Sequence, residues 1–295
     1  MENIIISNPK EFEEKKKKIL KQGINNFHVL TDFDRTLTKA FVNKKKTPSV
    51  ISVLRDGNYI SKQYAKKAHE LFDKYHPIEN DSSIPLKERK KAMHSWWSEH
   101  FELLIKSGLK KSHIEKIIKE DKIQFRKGAF EFFDYLNEKQ IPLIILSSAG
   151  LGTESISLML EKYKKNYKNI HIISNEYIWD EKGNAIEIKK PIIHCMNKDE
   201  TILKDFPEIY EKIKNKKNVL LLGDSDGDLE MITGFDYDNL LKIGFLNDKV
   251  APLGVPQDSE LGGKENLERY KENFDVVITN DSNMNYVLEF VREMS

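Results

Sequence analysis

Leu30-Thr31-Asp32-Phe33-Asp34-Arg35-Thr36-Leu37-Thr38 decides how the rest of this chain is read. An apolar run, residues 27–30, feeds directly into two aspartates one residue apart. A strand projects successive side chains to opposite faces, so Asp32 and Asp34 share a direction only while the chain is extended. Thr36 and Thr38 add short polar groups where the chain turns away. Two carboxylates crowded at the end of a buried strand repel each other unless a cation or a shared proton intervenes. A lone Asp-x-Asp is more often a solvated turn or a helix cap. Three downstream stretches argue for a site instead.

Working outward, Leu143-Ile144-Ile145-Leu146 ends in Ser147-Ser148-Ala149-Gly150, and the apolar run 219–222 ends in Gly223-Asp224-Ser225-Asp226-Gly227-Asp228-Leu229. Such continuous runs suit strands buried on both faces of a parallel sheet. Helical periods lie between them: Ile156, Met159, Leu160 and Tyr163, then Ile202, Phe206, Ile209, Tyr210 and Ile213. Residues 170–173, 240–245 and 276–279 read as further strands, 177–188 as a hairpin and 284–292 as a closing helix. Residues 9–22, rich in Glu and Lys and stopped by Gly23, read as a surface helix ahead of the first strand. The alternation predicts an α/β fold, a Rossmann-like parallel sheet with helices on both faces.

From about residue 60 to 120 only the helical period is present. Its stripes are Tyr64, Ala68, Leu71, Phe72 and Tyr75, then Met93, Trp96, Trp97, His100 and Leu104, then Ile114, Ile117 and Ile118. This predicts an inserted helical cap over 44–120, between core segments 1–43 and 121–295.

The 295 residues carry 48 basic and 47 acidic side chains, so no global field argues for nucleic acid or a membrane surface. The single cysteine, Cys195, excludes an intramolecular disulfide and fits a reducing compartment. No run approaches the ~18 apolar residues that span a bilayer, and the first residues lack a secretory pattern. A cytoplasmic protein is expected.

Ligands of open α/β sheets bind beyond the carboxyl ends of the strands. Here three expected strands end in polar groups. Asp32, Asp34 and Asp224 offer hard oxygen ligands suited to Mg²⁺. The Ser148-Ala149-Gly150 turn ahead of a helix presents a hydroxyl and main-chain amides to an anion. Lys198, in Met196-Asn197-Lys198-Asp199 at an expected helix start, is the candidate counter-cation.

Together these four stretches resemble the haloacid dehalogenase-type phosphatase set: D-x-D-x-T, then Ser, then Lys, then G-D-x-x-x-D. More narrowly, with Leu241-Lys242-Ile243-Gly244-Phe245-Leu246-Asn247-Asp248, they resemble the cytosolic 5′-nucleotidase III family. That family hydrolyses pyrimidine nucleoside monophosphates, and one branch prefers 7-methylguanosine monophosphate. The similarity runs from about residue 8 to the end and includes the cap. It implies a Mg²⁺-dependent 5′-nucleotidase in which Asp32 is the nucleophile, forming an aspartyl-phosphate. Asp34 would protonate the departing 5′-oxygen and then activate water. Mg²⁺ would be held by Asp32, the main-chain carbonyl of Asp34, and Asp224, with Asp228 orienting from behind. Ser148 and Lys198 would hold the phosphoryl group, and Ser147 is expected to face the packing side.

The cap departs from the family pattern, which reads the base partly through a glutamate just before an aromatic pair. Aligning on Trp96-Trp97 puts Ser95 there, and Glu99 lies one helical turn later. The expectation is a base site lined by Trp96 with Ser95 or Glu99, against cap-core packing as the competing role of the tryptophans.

Competing functions are a phosphatase of the same fold acting on phosphoserine or a sugar phosphate, and a non-catalytic metal-binding module. Residues 224–228 superficially resemble a calcium loop, but that loop needs Gly at its sixth position and Glu at its twelfth. Leu229 and Phe235 stand there. The implied partner is a small-molecule nucleoside monophosphate, and the implied working unit a monomer.

Overall fold

The computed structural model describes residues 3–198, 203, 205–249 and 263–294. The main strands are β1 (Ile4–Ile6), β2 (Phe27–Thr31), β5 (Leu143–Leu146), β6 (Ile170–Ile173), β9 (Asn218–Gly223), β10 (Asn239–Leu246) and β11 (Val276–Thr279). They form one seven-stranded sheet in the order β1-β11-β10-β9-β2-β5-β6. All neighbours are parallel except β1, which pairs antiparallel to β11. The sheet is therefore parallel as predicted, with one antiparallel edge strand that the sequence pattern does not reveal. A three-residue strand carries almost no periodicity of its own, and its state follows from the edge of β11 that it covers.

The apolar runs are continuous because both faces are buried. Val29, Leu143, Ile145, Leu220 and Leu222 pack into one cluster, whereas Leu30, Ile144, Leu146, Val219 and Leu221 pack into the other. The first face is covered by α1 (Pro9–Gln22), α6 (Ala129–Glu138), α7 (Gly152–Lys162) and α10 (Asn285–Arg292). The second is covered by α8 (Pro207–Ile213), the 3₁₀ turn Asp226–Ile232 and α9 (Gly263–Asn273). Helix α1 ends at Gly23, whose amide donates to Ile19 and Leu20 carbonyls. The expected helix over 202–213 begins later than its apolar period suggests: α8 starts at Pro207, Phe206 is its non-helical N-cap, and Ile202 lies outside the described residues.

Segment 44–120 contributes no strand to the main sheet. It holds α2 (Val50–Asp56), α3 (Lys62–Asn80), α4 (Leu86–Lys106) and α5 (Lys111–Lys119). It also holds β4 (Lys45–Lys46), which pairs with β3 (Phe41–Val42). The intervening Asn43 and Lys44 have φ of 52° and 63°, the sign a two-residue hairpin turn demands. Helices α3 and α4 pack along each other, and the hairpin of β7 (Tyr177–Trp179) and β8 (Ala185–Ile188) rests against α4.

Strand order reverses at β2. From it the chain moves to β5 and β6 on one side, then returns through β9, β10 and β11 on the other. The carboxyl ends of β2, β5 and β9 thus lie side by side at the switch point. No helix among the described residues is long and apolar enough to cross a membrane.

His28, inside β2, is 1 % exposed, and its Nδ1 lies 2.9 Å from the Lys216 carbonyl oxygen, so the neutral ring donates there. Burial pushes its pKa down to about 4. The unfolded chain, titrating near 6.5, then binds this proton more readily than the fold does. The His28 contribution is present in full above pH 6.5 and declines as pH falls toward 4, by up to about 3 kcal/mol. Urea unfolding at pH 7 and pH 5 is expected to show a steeper loss of stability in the wild type than in His28→Gln.

Candidate active site

Asp32 is the first residue beyond β2, and its amide donates to the Leu222 carbonyl at 3.0 Å. Its side chain therefore emerges level with the end of β9. The chain then turns sharply. The Arg35 amide donates to Thr38 Oγ1 at 2.8 Å, and the Leu37 amide to the Phe33 carbonyl at 3.0 Å. Arg126, 2 % exposed, fixes this turn from below. Its Nε donates to the Thr36 carbonyl at 2.9 Å, and its terminal nitrogens reach the Arg35 carbonyl, Asp281 at 2.9 Å and Asn247 at 2.9 Å. Sequence reasoning missed Arg126, because its partners come from three distant segments.

At the end of β9, a Cβ on Gly223 would lie 2.5 Å from the Asp228 Cβ, so only glycine lets the two segments close. Asp228 Oδ2 accepts from the Asp224 amide at 3.1 Å, the Ser225 amide at 3.0 Å and the Ser225 hydroxyl at 2.8 Å. Its Oδ1 accepts from Lys198 Nζ at 3.2 Å, and Lys198 donates a second, shorter bond to Asp32 Oδ1. Asp32, Lys198 and Asp228 are all buried.

This crowding sets the electrostatics. Burial raises the Asp32 carboxyl to about 7, with Lys198 opposing the rise and the Asp228 and Asp34 charges adding to it. Burial also raises Asp34, against the opposing charges of Arg35 and Lys198. Asp224 is raised well above the ordinary carboxylate range by burial and by Asp228 and Asp32. Burial by itself would lower the Lys198 ammonium, but Asp32 and Asp228 more than offset it and keep the group charged. One carboxylate oxygen each from Asp32, Asp224 and Asp228 lie within 4.8 Å of one another. An all-oxygen set whose members repel each other fits a hard divalent cation such as Mg²⁺. Both Asp228 oxygens already accept hydrogen bonds, which fits an orienting role behind Asp32 and Asp224.

Ser147 and Ser148, at the end of β5, both line the same cavity as these carboxylates. Ser147 thus departs from the expected packing-side position. Asn175 locks the following loop to the Lys198 segment, donating to the Ala149 carbonyl at 3.2 Å and bonding the Ile193 backbone in both directions. The cavity, about 570 Å³, runs from Asp32, Asp34 and Asp224 to a cap wall of Phe72, Trp96 and Trp97.

Residues 35–295 match the model of the pyrimidine 5′-nucleotidase (UMPH-1) family. The chain belongs to that family. A 7-methylguanosine phosphate-specific 5′-nucleotidase of Mus musculus is 34% identical over 273 residues, covering 92% of this chain and 86% of that protein. The crystal structure of cytosolic 5′-nucleotidase IIIB bound to cytidine superposes with a TM-score of 0.84 at 25% identity, covering 100% of this chain and 95% of that one. A HAD family hydrolase from Salmonella enterica shares the fold alone, with a TM-score of 0.53 at 13% identity over 96% of this chain and 81% of that one. The chain is a 5′-nucleotidase, a hydrolase of the haloacid dehalogenase superfamily.

In this 5′-nucleotidase the residues of the helical segment fall differently from the expectation. Glu99 faces α3, accepting from the Tyr75 hydroxyl at 2.6 Å and from Lys74 at 3.4 Å, and does not line the cavity. Ser95 does not line it either. The helical turn that sends Trp96 and His100 inward carries Ser95 and Glu99 off to the side. Trp96 packs with Tyr75 and Met93 and also borders the cavity. Ala149 and Gly150 shape the site without lining it. A Cβ on Gly150 would lie 2.6 Å from the Trp97 ring, so glycine admits that ring against the loop.

The carboxylate that does enter from the cap is Glu79, near the end of α3, with His76 and Asn80 beside it. Cys195 Sγ donates to Glu79 Oε1 at 3.0 Å, and burial foremost keeps that thiol protonated. Arg35 and Arg55 also line the cavity. Glu79 escaped sequence reasoning although it continues the Phe72–Tyr75 face of α3 by one turn, because a charged residue beyond Pro77 reads as the solvated end of the helix.

Replacing Lys198 with Met would leave Asp32 and Asp228 buried without a counter-charge. Urea unfolding in chelator-containing buffer is expected to show a loss of about 3–5 kcal/mol. A loss below about 1 kcal/mol would show that the cluster does not depend on Lys198.

Proposed function

We propose that this 5′-nucleotidase hydrolyses nucleoside 5′-monophosphates with Mg²⁺ and a covalent aspartyl-phosphate, and that its base pocket selects bases carrying an exocyclic amine. The observation that carries this reading is the single cavity that joins the carboxylate cluster to an aromatic wall bearing Glu79. Its volume suits a nucleotide.

Asp32 supplies the attacking oxygen, and its contact with Lys198 holds that oxygen at the strand end. Asp34, whose carboxyl keeps its proton above the ordinary range because it is buried, donates to the departing 5′-oxygen and then takes a proton from water. Ser148 and Lys198 hold the phosphoryl oxygens. Asp32, Asp224 and the Asp34 carbonyl would hold Mg²⁺, which would supply neutralisation of phosphoryl charge there. The lone Cys195, kept as a thiol, supports a cytoplasmic location.

In the cap, Glu79 can accept from a base amine, and Trp96 Nε1, a buried donor with no partner among the described residues, can serve a base carbonyl. Cytosine and 7-methylguanine offer both groups, whereas uracil lacks the amine. A mismatched polar partner costs about 1–3 kcal/mol, or roughly a 5- to 150-fold preference. Phe72, Trp96 and Trp97 supply stacking surface, and a cationic 7-methylguanine gains most from it.

Asp32→Asn should abolish turnover in a folded protein, and Asp34→Asn should cost about 10²–10⁴-fold in kcat. Near-normal activity in Asp32→Asn would remove the covalent route. Mg²⁺ should raise the thermal midpoint of the wild type and leave that of Asp224→Ala nearly unmoved. An equal shift in both would take Asp224 out of the metal site.

Glu79→Gln is expected to narrow the preference for cytidine or 7-methylguanosine monophosphate over uridine monophosphate. Hydrolysis of p-nitrophenyl phosphate should stay unchanged. Glu99→Gln should leave the ranking as it is. A ranking that moves with Glu99 and not with Glu79 would refute this base pocket.

A further inference from the structure

Arg35 stands immediately after Asp34 and lines the cavity. Its backbone lies in the left-handed region, with φ 62°. A β-carbon is disfavoured there by about 1 kcal/mol, so glycine would form this turn more easily. The turn is nevertheless fully specified: the Arg35 amide bonds Thr38 Oγ1 at 2.8 Å, and its carbonyl accepts from Arg126 and from Asn247 at 3.1 Å. What arginine adds at this strained place is its guanidinium. Among the described residues that group has no ion-pair or hydrogen-bond partner.

The surroundings say what such a cation could meet. The inner cavity holds Asp32, Asp34, Asp224 and Asp228, and the lysine that faces them, Lys198, is already shared between Asp32 and Asp228. Arg35 opposes the upward shift of both Asp34 and Asp224, so its charge is felt at both carboxyls, yet it bridges neither. A phosphate monoester entering this cavity brings further negative charge to a floor already rich in it. An unengaged guanidinium at its edge matches a phosphoryl group in charge and in donor geometry.

We propose that Arg35 is a phosphate-binding residue, its guanidinium contacting the phosphoryl group of the bound nucleotide as the second protein cation beside Lys198. The inference rests on the reading of this cavity as the phosphate site. It predicts that Arg35 contributes equally to every substrate, whatever its base, and to the product phosphate.

The test uses the full chain with Mg²⁺ and three variants, Arg35→Met, Arg35→Lys and Arg35→Gly, the last of which suits the left-handed backbone and secures folding. Competitive inhibition by inorganic phosphate is measured with KM for cytidine monophosphate, uridine monophosphate and p-nitrophenyl phosphate. Arg35→Met and Arg35→Gly should weaken phosphate inhibition and raise all three KM values by roughly 10- to 100-fold. Arg35→Lys should restore part of the loss, and the thermal midpoint of Arg35→Gly should not fall. Unchanged phosphate inhibition in Arg35→Gly, or a loss confined to one base, would overturn the proposal while wild-type hydrolysis left the phosphate-site reading intact. A wild type that hydrolyses none of the three would overturn both.

Discussion

The arrangement depends on a repulsion. Asp32, Asp224 and Asp228 bring carboxylate oxygens within 4.8 Å of one another in a buried pocket, which water alone would not permit. Lys198 bridges Asp32 and Asp228, and the main-chain amides at 224 and 225 take the remaining oxygen of Asp228. The same crowding that is costly without a counter-charge gives the pocket the donor set that suits a divalent cation. Folding and chemistry therefore draw on one electrostatic balance.

That balance needs rigid support, and a second buried cation provides it. Arg126 is engaged by main-chain carbonyls, Asp281 and Asn247, and its guanidinium also lies 4.5 Å from the centre of the Phe245 ring. It holds the Arg35–Thr36 turn against the ends of β10 and the segment after β11. Glycine at 223 and Asn175 do the same for the other two strand ends, by close approach and by hydrogen bonds. The polar groups at the switch point are thus held by their own segment at Asp228 and by loop residues from elsewhere, Arg126 and Asn175, at the other two strand ends.

One of the ties between the helical segment 44–120 and this machinery is the loop before Lys198. Cys195 donates to Glu79 and, with Met196, packs against Tyr75, Met93 and Trp96, while Lys198 follows three residues later. A base seated against Glu79 and Trp96, as proposed, would touch the wall on which the lysine-bearing loop rests. The proposed base and phosphate sites would thus share a mechanical support, although they sit on different parts of the chain.

Local chemistry made much of this legible in the amino-acid sequence. Apolar runs that stop abruptly at Asp32, Ser147 and Asp224 announce buried strands with polar ends, because period and burial are written in consecutive residues. The parallel sheet and the helical character of 44–120 follow from the same patterns. What tertiary structure decided is which side chains meet. Glu79 rather than Glu99 enters the cavity because α3 packs along α4 and turns Glu99 toward Tyr75. Ser147 joins Ser148 in the cavity, β1 becomes a strand only by pairing with β11, and Arg126 finds its partners across more than a hundred residues of chain. Periodicity records which residues are buried, but the direction a polar side chain takes at a helix end or strand end is set by its neighbours in space, and those neighbours exist only once the chain has closed.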